Sequence, residues 1–186
     1  MSPTHEIADD LVLAESTQDV VINVPLESVD LGTWLTRLTD AEYQACAVPD
    51  HRAAGWSRNA AGDLVSINVE EVGGALLIQH YVAEILEPHH CRMVSLSEVQ
   101  TPDGWQYQQV IWDLSVTELD SDHSTFTNKV TSRPTRAFVA RLEERGIPFE
   151  QAAQARRQAV EDHNALEAPN YAASVERAAL KAQGSR

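Results

Sequence analysis

Strict alternation of apolar and polar residues dominates the middle of the chain. LVSINVEEV (64–72) has a period of two, and ALLIQHYVAEIL (75–86), HCRMVSLSEVQ (90–100), WQYQQVIWDLSVTEL (105–119) and STFTNKVTS (124–132) follow it. Turn residues separate them: Gly73-Gly74, Pro88-His89-His90, Pro102-Asp103-Gly104 as a type I turn with a glycine bulge, and Ser121-Asp122-His123. Short connections of this kind predict antiparallel hairpins. Two further strands are expected: QDVVINV (18–24), stopped by Pro25, and a weaker one at 52–59 around Trp56.

Helical spacing flanks the strands. Leu26, Val29, Leu31, Trp34, Leu35 and Leu38 predict a helix over 26–38, and Thr39 with Glu42 forms a capping box for a short one over 40–46. A helix over 134–145 follows the strands. The next, 148–168, opens with Pro148 in the first turn and stops before Pro169. Its apolar face carries Phe149, Ala152, Ala153, Ala159, Val160 and Leu166. His163 and Glu167 share that face, and Arg157, Gln158, Glu161 and Asn164 point away. An amphipathic segment at 171–182 ends the chain. Residues 1–17 are expected as a loosely held arm, 18–168 as the domain and 169–186 as a helical tail.

Register follows from matching faces across each turn, because a slip of one residue exchanges them. Two residues at Gly73-Gly74 set Ile67 opposite His80. Three at 88–90 set His80 opposite Glu98 and Val82 opposite Leu96. Three at 102–104 set Leu96 opposite Val110 and Val94 opposite Trp112, and three at 121–123 set Leu114 opposite Val130. This places Val65, Ile67, Val69, Ile78, Val82, Val94, Leu96, Val110, Trp112, Leu114, Phe126 and Val130 on one apolar face. Ser66, Asn68, Glu70, Gln79, Ser95, Ser97, Gln109 and Asp113 take the other. A one-sided antiparallel sheet packs that apolar face on a helix.

Composition narrows the classes. The 186 residues suit one α+β domain, 43% hydrophobic, with a net charge of −14. So few cations exclude nucleic acid or an anionic membrane surface as partner. Cys46 and Cys91 do not make a disulfide framework, so a cytoplasmic setting is expected. No apolar run reaches the roughly 18 residues a membrane helix needs, and MSPTHEIADD has no signal-peptide pattern. There is no glycine-rich phosphate loop and no serine nucleophile elbow. A homodimer is left open.

The order strand, two helices, six strands, long helix resembles the helix-grip fold of the START-like (SRPBCC, birch-allergen-like) superfamily over roughly residues 18–168. The resemblance implies a curved seven-stranded antiparallel sheet around the long helix, with a cavity for a small hydrophobic or aromatic molecule. Ile67, Ile78, Val82, Leu96, Val110, Trp112, Phe126, Asn128, Phe149 and Val160 would line it.

His80, Glu98 and Asn128 interrupt the apolar face. A buried carboxylate without a partner costs several kcal/mol, so Glu98 needs protonation, a pair or a metal. By register His80 is its neighbour, and the helix adds His163 and Glu167. Two histidines and two carboxylates make a plausible zinc set. The arrangement resembles the phloretin and diacetylphloroglucinol zinc hydrolases, helix-grip enzymes that cleave a carbon–carbon bond beside an aromatic ketone. There a strand His, a strand Glu and a helical His-x-x-x-Glu hold the metal. The resemblance implies His80, Glu98, His163 and Glu167 as ligands, with Glu98 or Glu167 as the catalytic base.

Without metal, His80 and Glu98 are one hydrogen-bonded pair, and the protein is a non-catalytic carrier or sensor of an apolar ligand, with no cofactor. A third class is an assembly module that uses 171–182 as an interface. Asp40, Tyr43, Cys46 and His51 resemble the spacing of the mononuclear-iron motif of Rieske oxygenase catalytic domains. Cys46 stands where that motif has its first histidine, and the Rieske cluster ligands are missing, so that reading is set aside. His89 and His90 sit in a turn, and Tyr81, Trp105 and Tyr107 are candidates for a cavity mouth.

Overall fold

A computed structural model describes residues 5–184 except 102 and 103. Seven strands form one antiparallel sheet: β1 (Ala14–Ile22), β2 (His51–Arg58), β3 (Leu64–Val72), β4 (Ala75–Leu86), β5 (His90–Thr101), β6 (Gly104–Glu118) and β7 (Ser124–Pro134), in the order β1-β7-β6-β5-β4-β3-β2. The helices are α1 (Leu31–Arg37), α2 (Asp40–Cys46), α3 (Arg136–Glu144) and α4 (Phe149–Gln183). The sheet grips α4, so the architecture is the helix-grip α+β fold that the element order implies.

Local chemistry sets the ends. Asp30 caps α1 through the Thr33 amide, Thr39 caps α2 through Glu42, and Thr135 caps α3 through Phe138. The expected helix over 26–38 is broken: a 3-10 turn covers Leu26–Ser28, and α1 starts only after the Asp30 cap. β1 begins at Ala14, inside the stretch expected to be a loose arm, because Ala8, Leu13 and Ala14 are buried and the strand pairs with β7. Pro169 does not stop α4, which runs on through 171–182. Tyr171, Ala172 and Val175 are buried with Trp34 and Leu35 of α1, and this packing outweighs the helix-breaking tendency of proline.

The larger correction is one of register. β3 and β4 pair as expected, with Ile67 opposite His80. In β4 and β5, Ile78 rather than His80 opposes Glu98, and Val82 opposes Val94. That is a shift of two residues, which preserves the faces. At the next hairpin Thr101 pairs with Gly104, leaving only 102–103 between them, so Ser95 opposes Val110 and Leu96 opposes Gln109. That is a slip of one. The turn expected at Pro102-Asp103-Gly104 lies partly outside the described residues. Trp112 opposes Val130, and Leu114 opposes Asn128.

The slip inverts three strands relative to expectation. Toward α4 the sheet presents Ser66, Asn68 and Glu70 of β3, Gln79 and Tyr81 of β4, and Ser95 and Ser97 of β5, all buried. Ile67, Val69, Ile78, Val82, Val94 and Leu96 lie half-buried on the outer face with His80 and Glu98. On β6 and β7 the expected residues do face inward: Val110, Trp112, Leu114 and Phe126 are buried, and Val130 packs against them. On α4, Asn164 is fully buried instead of pointing away, because its amide donates to Ser16 Oγ (3.1 Å) and the Asn128 carbonyl (3.1 Å). Leu166, expected inside, is exposed.

Candidate metal centre

Four side chains from three elements meet between the sheet and α4. His51 opens β2, Glu70 points inward from β3, and His163 and Glu167 lie one turn apart on α4. All four are buried. His51 Nε2 lies 3.2 Å from Glu167 Oε2 and 3.8 Å from Glu70 Oε2. His163 Nε2 lies 3.4 Å from Glu70 Oε2 and 3.5 Å from Glu167 Oε2. Donors about 2.0–2.2 Å from one tetrahedral ion stand roughly 3.3–3.6 Å apart. His51, Glu70 and His163 bring one donor atom each within 4.8 Å of one another, and Glu167 Oε2 stands beside both histidines, so the group could hold one ion.

The outer atoms of each group are already occupied. His51 Nδ1 donates to the Tyr43 carbonyl (2.6 Å), and His163 Nδ1 donates to Asp50 Oδ2 (2.9 Å). Both acceptors fix the proton on Nδ1 and turn Nε2 inward, as the second shell of a metal site does. The carboxylates follow the same plan. Gln79 Nε2 donates to Glu70 Oε1 (3.0 Å), and Asn128 Nδ2 donates to Glu167 Oε1 (3.0 Å), leaving each Oε2 toward the centre. Trp112 Nε1 donates to Asn128 Oδ1 (2.9 Å), and Tyr43 Oη donates to Glu70 Oε2 (3.3 Å).

His163 Nε2 is buried and has no hydrogen-bond partner in spite of the carboxylates beside it. A buried orphan among carboxyl oxygens is what a cation would satisfy, so the residues fit a zinc ion. Without one, protons do the neutralising. Burial opposes charge on His163, but the charge of Glu167 and contacts with Glu167 and Glu70 push its pKa up to about 12. Burial likewise raises Glu167, and the charge and close contact of His163, helped by His51, override it and bring it down to about 2. Tyr43, Tyr81 and Tyr171 are held well above the usual phenol range by burial and by Glu70 and Glu167.

A cavity of about 30 Å³ adjoins the cluster, walled by Tyr43, Gln79, Tyr81, Trp112 and Tyr171. It has room for water but not for an aromatic ligand. A second pocket, about 240 Å³, opens where the start of α4 meets α3 and the β3–β4 turn. Arg156 lines both.

Of the four expected ligands, His163 and Glu167 are in the cluster. His80 is exposed and Glu98 half-buried on the outer face, and the two are not cross-strand partners, because the slipped hairpin turns both outward. The outward turn also removes Ile67, Ile78, Val82 and Leu96 from the cavity wall. Val110, Trp112 and Val160 do line the cavity, and Asn128 holds Glu167 beside it. Phe126 is fully buried in the core rather than lining the cavity, and Phe149 lies half-buried at the start of α4. Sequence reasoning missed His51 and Glu70 as members of the cluster. His51 stood in the motif that was set aside, and Glu70 stood on the face taken as outer. Tyr81 is at the cavity and Tyr107 at the second pocket, whereas Trp105 is exposed.

No family model matches the sequence, and no curated protein matches it. Solved structures match the fold. The Zhui aromatase/cyclase of Streptomyces sp. R1128 is 13% identical, with 90% of this chain and 93% of that chain covered and a TM-score of 0.56. The di-domain ARO/CYC StfQ from the steffimycin biosynthetic pathway is 13% identical with a TM-score of 0.59. The match takes in 90% of this chain but only 52% of StfQ, so this chain spans about half its length. A conserved protein from Geobacillus kaustophilus is 8% identical, with 90% and 95% covered and a TM-score of 0.52. At these identities the likeness is one of fold. No helix among the described residues is long and apolar enough to cross a membrane.

Proposed function

With the START-like helix-grip fold as premise, we propose that this protein is a metal-dependent hydrolase or lyase of small aromatic, polyketide-like molecules. Zinc would be held by His51, His163 and Glu167, with a fourth position open and Glu70 beside it. The observation that carries the reading is the double shell: four inward donor atoms, each with its outer partner already bonded. A bound zinc would supply Lewis acidity and activate water for attack on a carbonyl-bearing carbon.

The chain's own residues do the rest. Glu70 lies 3.8 Å from His51 and also lines the water-sized cavity, so its Oε2, left off the ion, is placed to take a proton from water there. Gln79 and Tyr43 hold that carboxylate in line. Trp112, Tyr81 and Tyr171 exclude bulk solvent.

A non-catalytic carrier is the second reading. It is favoured by the fourth inward donor, since Glu70 as a further ligand would close a tetrahedral site as structural zinc sites are closed. Metal analysis after extensive dialysis tests the first step. One zinc per chain is expected, with a melting temperature that falls in chelator. No bound metal and unchanged melting would overturn the enzyme reading and leave the carrier. If zinc is present, turnover of an acyl-phenol ketone that is lost in Glu70→Gln with zinc retained separates catalysis from a structural metal.

A further inference from the structure

The 240 Å³ pocket differs from the metal centre in chemistry. Its wall is apolar, with Leu13, Ala75, Val99, Phe138 and Ala159 among its residues. Of the polar residues on that wall, two carry a buried donor without an acceptor: Nε2 of Gln108 and Nε of Arg156. Gln108 is 5% exposed. The hydrogen bond of Arg156 Nη1 goes to a neutral acceptor, the Val72 carbonyl, at 3.1 Å. Leaving a buried donor unsatisfied costs about 1–3 kcal/mol, so two on one pocket are a sizeable standing penalty. A ligand carrying acceptors would relieve both.

We propose that this pocket binds a one-ring aromatic carboxylate, with the ring against the apolar wall and the carboxylate oxygens accepting from Arg156 Nε and Gln108 Nε2. The size agrees. A dry cavity of about 150 Å³ holds benzene, so 240 Å³ holds a ring with a short acid side chain. The charge agrees too, because a guanidinium taken out of water gains more from an anion than from a neutral acceptor. Since Arg156 also walls the small cavity beside Glu70, it orients the acid end toward the metal centre. The inference rests on the reading of this interior as a small-molecule site, but not on the metal.

Isothermal titration with cinnamate and with cinnamyl alcohol as its uncharged counterpart tests it, with zinc content measured on every sample. The acid is expected to bind about tenfold or more tightly than the alcohol, the ratio a charge-assisted hydrogen bond supplies. Arg156→Gln should abolish that preference while the alcohol still binds. Gln108→Leu, which keeps the charge balance and fills similar space, should weaken the acid by a smaller factor. Equal binding of acid and alcohol to the wild type would overturn the carboxylate assignment, as would a preference that survives Arg156→Gln. Binding of neither would overturn the small-molecule site itself, and the zinc content would say separately whether the metal reading stands.

Discussion

The two halves of the sheet obey opposite rules. On β6 and β7 the apolar residues Val110, Trp112, Leu114 and Phe126 face α4, and the outer face carries Asp113, Thr127 and Lys129. On β3, β4 and β5 the inner face carries Ser66, Asn68, Glu70, Gln79, Ser95 and Ser97 among Val72, Leu77, Met93 and Val99, and Ile67, Val69, Ile78, Val82, Val94 and Leu96 lie outside. Burial of apolar area favours the first arrangement by about 25 cal/mol per Å². The second stands because its polar groups bond one another. Ser66 Oγ donates to Asn68 Oδ1 (2.9 Å), Ser97 Oγ to Ser95 Oγ (3.0 Å), and Gln79 to Glu70. One half gives its inner face to the core, and the other shares its inner face between the core and the polar wall of the cluster.

Substitutions sharpen that contrast. Glu167→Ala removes a carboxylate from beside two histidines, and stability measured by urea unfolding should fall by about 3–5 kcal/mol, with zinc lost from the purified protein. Leu114→Ala, fully buried in the core-building half, should cost about 2–5 kcal/mol in the same assay and leave zinc content unchanged. Asn128→Leu strands Trp112 Nε1 and Glu167 Oε1, for about 1–3 kcal/mol and a roughly 10- to 100-fold loss of zinc affinity in a competition titration. His80→Ala and Glu98→Ala on the outer face should each fall within about 0.5 kcal/mol of wild type and bind zinc normally. A loss of zinc in either would break the comparison and restore the unslipped register.

The elements themselves were legible. β3 and β4 have the bounds that alternation and Gly73-Gly74 imply, and α2 lies where its capping box puts it. The faces of three strands were not legible, because register was chosen to gather apolar residues on one side. That criterion fails where the inner wall is polar for function, and the penalty was concentrated in one hairpin, where Thr101 pairs with Gly104. His163 and Glu167 survived because their partnership is helical and depends on no register. The cluster holds a different strand His and strand Glu, His51 and Glu70, since local sequence carries no signal for which cross-sheet histidine reaches the helix. Arg156 and Gln108 left no trace in the sequence, because an unmet donor is a property of packing alone.

Pro169 gives α4 a mechanical character that its unbroken course conceals. Without an amide hydrogen it withholds the rung that would close on the Ala165 carbonyl, so the helix is most compliant there. The joint falls two residues beyond Glu167. On its far side Tyr171, Ser174 and Val175 are clamped against α1, where Trp34 Nε1 donates to Ser174 Oγ at 2.7 Å. On its near side the helix carries His163, Glu167 and Arg156. Pro169 thus divides the helix into a span anchored on α1 and a span that carries the cluster residues and Arg156.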